Sequence, residues 1–187
     1  MKKVLIIDID DVLVDSYMFI LLNKFLGTNY KEDDFSDYYL EKSIEDPKKL
    51  DEYYKFIFTQ DMYKDIPIKP GVQEVLPKLN EKYELYLCTD ILIPNYEWLA
   101  DKEFVSKFNM LRENFSYLNP KQFIFMRKKP LLHGDIMIDD KPTNFGDYID
   151  KKLMFTAYHN KNISDKELKE KNIIRVNSWL EIADLLL

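Results

Sequence analysis

Asp8, Asp10 and Asp11 stand together at the end of the apolar run Val4 to Ile7, in the stretch VLIIDIDDVLVDS. Carboxylates packed that closely repel and raise each other's pKa unless a cation joins them. The arrangement recurs along the chain, with Thr89 and Asp90 after YELYLC, Arg127, Lys128 and Lys129 after QFIFM, and Asp139 and Asp140 after IMI. Brought to one place, these residues would supply hard oxygen ligands, a hydroxyl and an ammonium. Such a set suits Mg²⁺, which takes one or two carboxylates together with a phosphate and keeps several waters. The chemistry indicated is metal-assisted handling of a phosphoryl group. A lone D-x-D at a strand end is often only a turn; the ordered recurrence of such ends carries the reading.

For these residues to meet, the apolar runs must be neighbouring strands of one sheet, because in an open parallel sheet ligands bind beyond the carboxyl ends of the strands. Lys3–Ile9 runs through β-branched and leucine residues without alternation, the pattern of a strand buried on both faces. Further strands are expected at Tyr83–Thr89, Gln122–Met126, Ile136–Ile138, Lys152–Tyr158 and Ile173–Val176. Helical patterns lie between them at Gly71–Glu81 and Asn95–Phe115, the second with Trp98, Val105, Phe108 and Leu111 spaced to share a face. The capping boxes SDKE (Ser164, Glu167) and SWLE (Ser178, Glu181) start two more. Strands alternating with helices predict an α/β fold with a parallel sheet. From Tyr17 to Pro67 there is no buried strand, only the aromatic-rich helical patterns YMFILLNKFL and LDEYYKFIFTQDMY joined by an acidic linker. This stretch reads as a helical insertion, 17–67, held by its own aromatic cluster within a core made of 1–16 and 68–187.

At 187 residues with 46% hydrophobic content, the chain suffices for one domain with such an insertion and is short for two full domains. Its net charge of -6, with both signs interleaved, offers no basic face for a nucleic-acid polymer and no polybasic membrane patch. No stretch approaches the ~20 apolar residues of a membrane span, and the first apolar run is too short for a secretory signal, so a cytoplasmic protein is expected. Cys88 is the single cysteine, which excludes an internal disulfide, and His133 and His159 add no zinc spacing. Cys88 reads as a buried small hydrophobe and the two histidines as surface or loop residues. The oligomeric state is left open, a homodimer included.

DIDDVLVDS, CTD and RKKPLLHGDIMIDDKP, in that order, resemble the four motifs of the haloacid dehalogenase (HAD) superfamily. The stretch Arg127 to Lys141, the CT closing the second motif strand and the following NYEWLADKEFV are similar to the 5'(3')-deoxyribonucleotidases of cytosolic and mitochondrial type and their bacterial and phage relatives. The resemblance covers most of the chain. It implies a HAD-type three-layer αβα Rossmann-like parallel sheet with an inserted helical cap of the C1 type. It also implies a Mg²⁺-dependent phosphatase that hydrolyses deoxyribo- or ribonucleoside 5'- or 3'-monophosphates through an aspartyl-phosphate. On this resemblance Asp8 is the nucleophile, and Asp10 is the acid that protonates the leaving oxygen and then activates water. Thr89, Asp90 and Lys129 bind the phosphoryl group, Lys129 also offsetting the charge of the nucleophile. Asp8, Asp140 and the Asp10 carbonyl hold Mg²⁺, Asp139 acts through metal-bound water, and Arg127 stands near the substrate. Tyr17, Phe35, Tyr38, Phe56, Met62 and Tyr63 are candidates for a base-binding wall, most of them expected to serve the insertion's own core.

The chain departs from the family at Asp11, where Gly is usual, and at Ser16, where the animal enzymes place an aromatic against the base. Asp90 replaces their serine, and Ile93 stands where they have a lysine. These changes bear on base preference and leave the phosphatase chemistry intact. Lys128 is the alternative to Lys129, while Asp15 and Asp135 read as turn or capping acids. Two further readings stay open from sequence: a HAD phosphatase for another small phosphomonoester, and a phospho-accepting signalling module of receiver type. The D-x-D spacing and the long insertion speak against the second.

Overall fold

The apolar runs form strands β1 (Val4–Ile7), β2 (Glu84–Thr89), β3 (Phe123–Phe125), β4 (Gly134–Asp139), β5 (Ile149–Phe155) and β6 (Ile173–Val176) in a computed structural model that describes residues 1–91 and 100–187. Every neighbouring pair is parallel, in the order β3-β2-β1-β4-β5-β6. The order reverses beside β1, and such a switch point opens a crevice at the carboxyl ends of the strands. Ile7 is level with Leu87 on one side and Ile138 on the other. That register brings Asp8, Thr89 and Asp139 to one edge.

The helices are α1 (Tyr17–Leu26), α2 (Pro47–Ile57), α3 (Val72–Lys82), α4 (Ala100–Asn114), α5 (Asp165–Glu170) and α6 (Trp179–Leu186). Both sequence-derived caps form, with the Ser164 and Ser178 side chains accepting from Glu167 N and Glu181 N. On one sheet face Leu5, Ile7, Leu87 and Ile138 are buried against Val75 and Leu76 of α3, Leu111 of α4 and Ile182 of α6. On the other face Ile6, Cys88 and Met137 are covered by Leu132 and Phe145 from the turns, and Met154 and Ile173 by Leu168 of α5. The result is a three-layer fold whose second outer layer is thin.

Between β1 and α3 the chain leaves and re-enters the core at a narrow neck, where Asp15 N donates to Pro67 O at 3.0 Å and Lys69 N to Leu13 O at 2.9 Å. The intervening residues build α1, α2 and two short 3-10 turns at 32–34 and 40–43. Their aromatic rings pack on one another, Phe25 against Tyr53 and Phe56, and Phe35 against Phe19 and Tyr30. This cluster is continuous with the main core rather than separate from it.

Two expectations are corrected. β5 spans Ile149–Phe155 rather than Lys152–Tyr158, because the Asn160 side chain takes Ala157 N at 3.1 Å and turns the chain out of the sheet. In α4, Val105 is 54% exposed, and the buried residues are Glu103, Lys107, Met110 and Leu111. Apolar periodicity misplaced this face because it counts charged residues as solvent-facing; Trp98, the fourth member of the expected stripe, lies outside the described residues. No helix among the described residues is long and apolar enough to cross a membrane.

Trp179 joins the layers. It is fully buried, and its Nε1 donates to Val12 O at 2.9 Å. Gly71, at φ +86°, passes so close that a Cβ there would sit 3.0 Å from Trp179 Cβ. Trp179→Ala is expected to lower the unfolding free energy by about 3–5 kcal/mol, read from urea denaturation.

Candidate active site

β1 delivers Asp8 to the carboxyl edge of the sheet, where its Oδ1 accepts from Lys129 Nζ at 2.7 Å and from Ile9 N at 2.7 Å. Lys129 is buried and also donates to Asp139 Oδ2 at 2.8 Å. Burial alone would lower the pKa of this ammonium, but the carboxylates of Asp139 and Asp8 outweigh it and raise it. The neighbouring Lys128 is exposed, so Lys129 is the lysine at the site. Burial pushes the Asp8 carboxyl up to about 6; Lys129 opposes the rise, while Asp139 and Asp10 add to it. Asp139 Oδ1 accepts from Lys141 N at 2.9 Å and Asn144 Nδ2 at 2.8 Å. Both Asp139 oxygens thus have protein partners, and one of them anchors Lys129. The loop that carries Lys129 is seated by Gly146, where an added Cβ would collide with the Pro130 carbonyl oxygen.

Asp10 has different neighbours. Tyr63 Oη donates to its Oδ1 at 2.6 Å, while Lys107 Nζ donates to Oδ2 at 2.8 Å and Thr89 Oγ1 lies 3.2 Å from that oxygen. Lys107 is 1% exposed and reaches Thr89 Oγ1 at 2.9 Å and the Asp90 carbonyl at 2.7 Å. Burial raises the Asp10 pKa, but the charge and hydrogen bonds of Lys107, with that of Tyr63, prevail and lower it. The two carboxyls of one D-x-D motif are thereby held by different partners, Asp8 by Lys129 and Asp10 by Lys107 and Tyr63. Sequence reasoning missed Lys107. Its only signal was the i, i+4 pair with Glu103, a pattern that ordinarily reads as a solvent-facing ion pair.

Oxygens of Asp8, Asp139 and Asp140 come within 4.8 Å of one another. Lys129 bonds Asp8 and Asp139, the Lys141 ammonium also acts on all three carboxylates, and the donors are all hard oxygens. These residues fit a small divalent cation such as Mg²⁺. Asp140 Oδ2 lies 2.7 Å from His159 Nε2, and its carbonyl accepts from Asn160 Nδ2 at 2.8 Å. His159 is a loop residue, as expected, but one that the turn after β5 brings against the acid cluster. Asp11 adopts φ +59°, the left-handed turn in which Gly is usual. Its buried carboxyl is raised well above the ordinary range by burial and by Asp140.

A polar pocket between the strand ends is lined by Asp8, Asp10, Thr89, Lys129 and Asp140, together with Arg127, Lys141 and Asn144. Asp10, Asp90, Tyr38 and Tyr39 also line a second pocket, which extends past them to Ser16, Tyr17, Tyr158, Glu41 and Glu103. Lys141 Nζ sits 3.0 Å from the Tyr38 ring centre. Of the aromatic wall expected from sequence, Tyr17 and Tyr38 face this space and Tyr63 bonds Asp10, whereas Phe35 and Phe56 pack in the insertion's core and Met62 is buried. Asp90 presents its carbonyl to Lys107, and its own Oδ1 accepts from Ile91 N at 2.8 Å. Asp15 pairs with Lys69 at 3.0 Å, and Asp135 accepts from Val4 N at 2.7 Å at the far end of the sheet. His133 stacks on Tyr148, and Cys88 is a buried free thiol.

This strand order, with D-x-D closing β1, threonine closing β2 and paired aspartates closing β4, defines a hydrolase of the HAD type. Solved structures of similar fold include a haloacid dehalogenase-like protein from Agrobacterium tumefaciens str. C58, with TM-score 0.59 and 14% identity over 99% of this chain and 97% of that one. Another is a magnesium-bound protein of HAD-hydrolase type from Bacillus subtilis, with TM-score 0.57 and 11% identity over 99% of this chain and 98% of that one. The chain belongs to the family described as 5' nucleotidase, deoxy (pyrimidine), cytosolic type C, whose profile matches residues 2–187. The 5'(3')-deoxyribonucleotidase of Bacillus subtilis (strain 168) is 29% identical over 100% of both chains. A Staphylococcus epidermidis protein provisionally given the same name is 28% identical over 95% of this chain and 92% of its own. The chain is accordingly a HAD-type phosphatase, and the signalling-module alternative is set aside.

Lys107→Met removes the buried ammonium between Asp10 and Thr89. Phosphate release from a phosphomonoester is expected to fall about a hundredfold, with a loss of about 3 kcal/mol of stability from the stranded carboxylates; rate assays and urea unfolding read the two effects separately.

Proposed function

We propose that this phosphatase is a Mg²⁺-dependent nucleotidase that hydrolyses deoxyribo- or ribonucleoside 5'- or 3'-monophosphates through an aspartyl-phosphate on Asp8. The observation that carries this reading is the division of labour within the D-x-D motif. Asp8 is tied to Lys129 and the acid cluster, whereas Asp10 is tied to Lys107, Thr89 and Tyr63 beside the second pocket. The substrate class is supported by the likeness, over the whole of both chains, to the 5'(3')-deoxyribonucleotidase of Bacillus subtilis.

In the first half-reaction an Asp8 carboxylate oxygen attacks phosphorus, the phosphorus–ester oxygen bond breaks, and Asp10 gives its proton to the departing oxygen. In the second, Asp10 takes a proton from water as the water oxygen attacks phosphorus, and the Asp8–phosphorus bond breaks to release phosphate. Lys129 offsets the charge on Asp8 and on the phosphoryl oxygens, and Thr89 with Lys107 and the Asp90 backbone receives those oxygens. A phosphoryl group that draws Lys107 toward itself also loosens the ammonium's hold on Asp10, which favours the protonated form that an acid needs. Asp8, Asp140 and the Asp10 carbonyl would hold Mg²⁺, which supplies the charge neutralisation that lets an anionic nucleophile approach an anionic phosphate. Asp139 serves this arrangement by anchoring Lys129. Residues 17–67 act as a cap, with Tyr38 and Tyr63 reaching the site from above and Tyr17 and Tyr38 flanking the nucleoside; Arg127 stands near the substrate.

The test is phosphate release by the purified protein, with Mg²⁺ or EDTA, across deoxy- and ribonucleoside 5'- and 3'-monophosphates and p-nitrophenyl phosphate. Release from nucleotides that EDTA abolishes and Mg²⁺ restores is expected. Release from p-nitrophenyl phosphate alone would move the substrate to another class of phosphomonoester. Asp8→Asn is expected to cut turnover about a thousandfold or more while the protein stays folded; wild-type-like turnover by that variant would overturn the nucleophile assignment.

A further inference from the structure

Glu103 is 1% exposed, on the inward face of α4. Its Oε1 accepts from Tyr17 Oη at 3.2 Å and lies 3.7 Å from Lys107 Nζ, but its Oε2 is buried with no hydrogen-bond partner among the described residues. An unpaired carboxylate oxygen is an unfavourable thing to bury unless a ligand completes it. Glu103 lines the second pocket together with Asp10, Tyr17, Tyr38 and Lys107. The ammonium that lies 3.7 Å from Glu103 is 2.8 Å from Asp10 Oδ2, so Glu103 stands one ammonium away from the carboxyl that serves the leaving oxygen. What lies next to the leaving oxygen in a nucleotide is the sugar. A phosphate would be repelled by a carboxylate at this position, and the base lies farther out; the sugar offers a hydroxyl, a donor of the right kind.

Resting on the nucleotidase reading, we propose that Glu103 Oε2 accepts a hydrogen bond from the substrate's sugar hydroxyl, the 3'-hydroxyl of a nucleoside 5'-monophosphate, and so determines specificity for substrates that carry it. A buried acceptor built for a hydroxyl discriminates strongly against the analogue that lacks one, because the acceptor is then left unpaired. Burial also pushes the Glu103 carboxyl up to about 7, Lys107 opposing, which is in keeping with a carboxyl short of donors.

The experiment compares kcat/KM for thymidine 5'-monophosphate and its 3'-deoxy analogue, with Mg²⁺, in the wild type, Glu103→Ala and Glu103→Gln. The wild type is expected to favour the hydroxylated substrate by about tenfold or more, mostly through KM. In Glu103→Ala the ratio should fall to near one. Glu103→Gln keeps an acceptor oxygen and should retain part of the preference; it also carries the test if the alanine variant does not fold. The ratio within one protein is unaffected by the fraction that is active, so a purely structural role for Glu103 would leave it unchanged. Equal kcat/KM for the two nucleotides in the wild type, or a preference that survives Glu103→Ala, overturns the inference alone. Turnover of p-nitrophenyl phosphate with none of the nucleoside 5'- or 3'-monophosphates hydrolysed overturns the nucleotidase reading and the inference with it.

Discussion

Everything at the carboxyl edge of this sheet depends on holding several carboxylates close together and largely out of water. Asp8, Asp10, Asp11, Asp139 and Asp140 converge there, all but Asp10 nearly inaccessible to solvent. Two buried ammonium groups make this tolerable, and they come from different directions: Lys129 from the turn after β3 and Lys107 from α4. Each answers one half of the D-x-D motif. Such buried ion pairs add little net stability, because desolvation cancels much of their attraction. What they confer is a fixed placement of charge, and the stability that tolerates it comes from the apolar faces of the sheet.

The sheet makes the placement accurate. β1 is flanked by β2 and β4, and the register sets Asp8 beside Cys88 and Asp139 without any loop having to reach. Close backbone approaches then seat the turns. Gly146 admits the Pro130 carbonyl, which holds the Lys129 segment, and Asp11 takes the left-handed conformation that lets the chain turn sharply after Asp10. The left-handed turn at Asp11 follows directly from the buried strand β1 and so is held by the core beneath it.

The insertion adds tyrosines to a site otherwise made of charges. Tyr63 bonds Asp10, Tyr17 bonds Glu103, and Tyr38 lies under Lys141 and edge-on to His159. Tyr158 and His159 arrive from the opposite side, on the turn after β5. The pocket so enclosed is aromatic and acidic at once, a combination in which hydroxyl-bearing and amino-bearing groups find acceptors and apolar ring faces find cover. The continuity of the insertion's aromatic cluster with the main core ties the position of these tyrosines to the sheet itself.

The strands, their interruption by a helical segment, the two serine caps and the acids, hydroxyl and lysine that close successive strands are all legible in the chain's residues. Each of these is a local property: an apolar run, a turn residue, a side chain within reach of its own helix end. The partners of these groups were set by packing between distant elements. Lys107 meets Asp10 across 97 positions and His159 meets Asp140 across 19. A Glu–Lys pair at helical spacing looks solvated until packing turns it inward, and a histidine in a loop looks idle until β5 ends three residues sooner than its apolar run suggests, at Phe155 rather than Tyr158. Asp139 likewise could be placed on its strand from sequence but not assigned to Lys129. Hydrophobic periodicity records which faces avoid water; it carries no information about which buried charges meet, because that is set by the crossing of elements far apart in the chain.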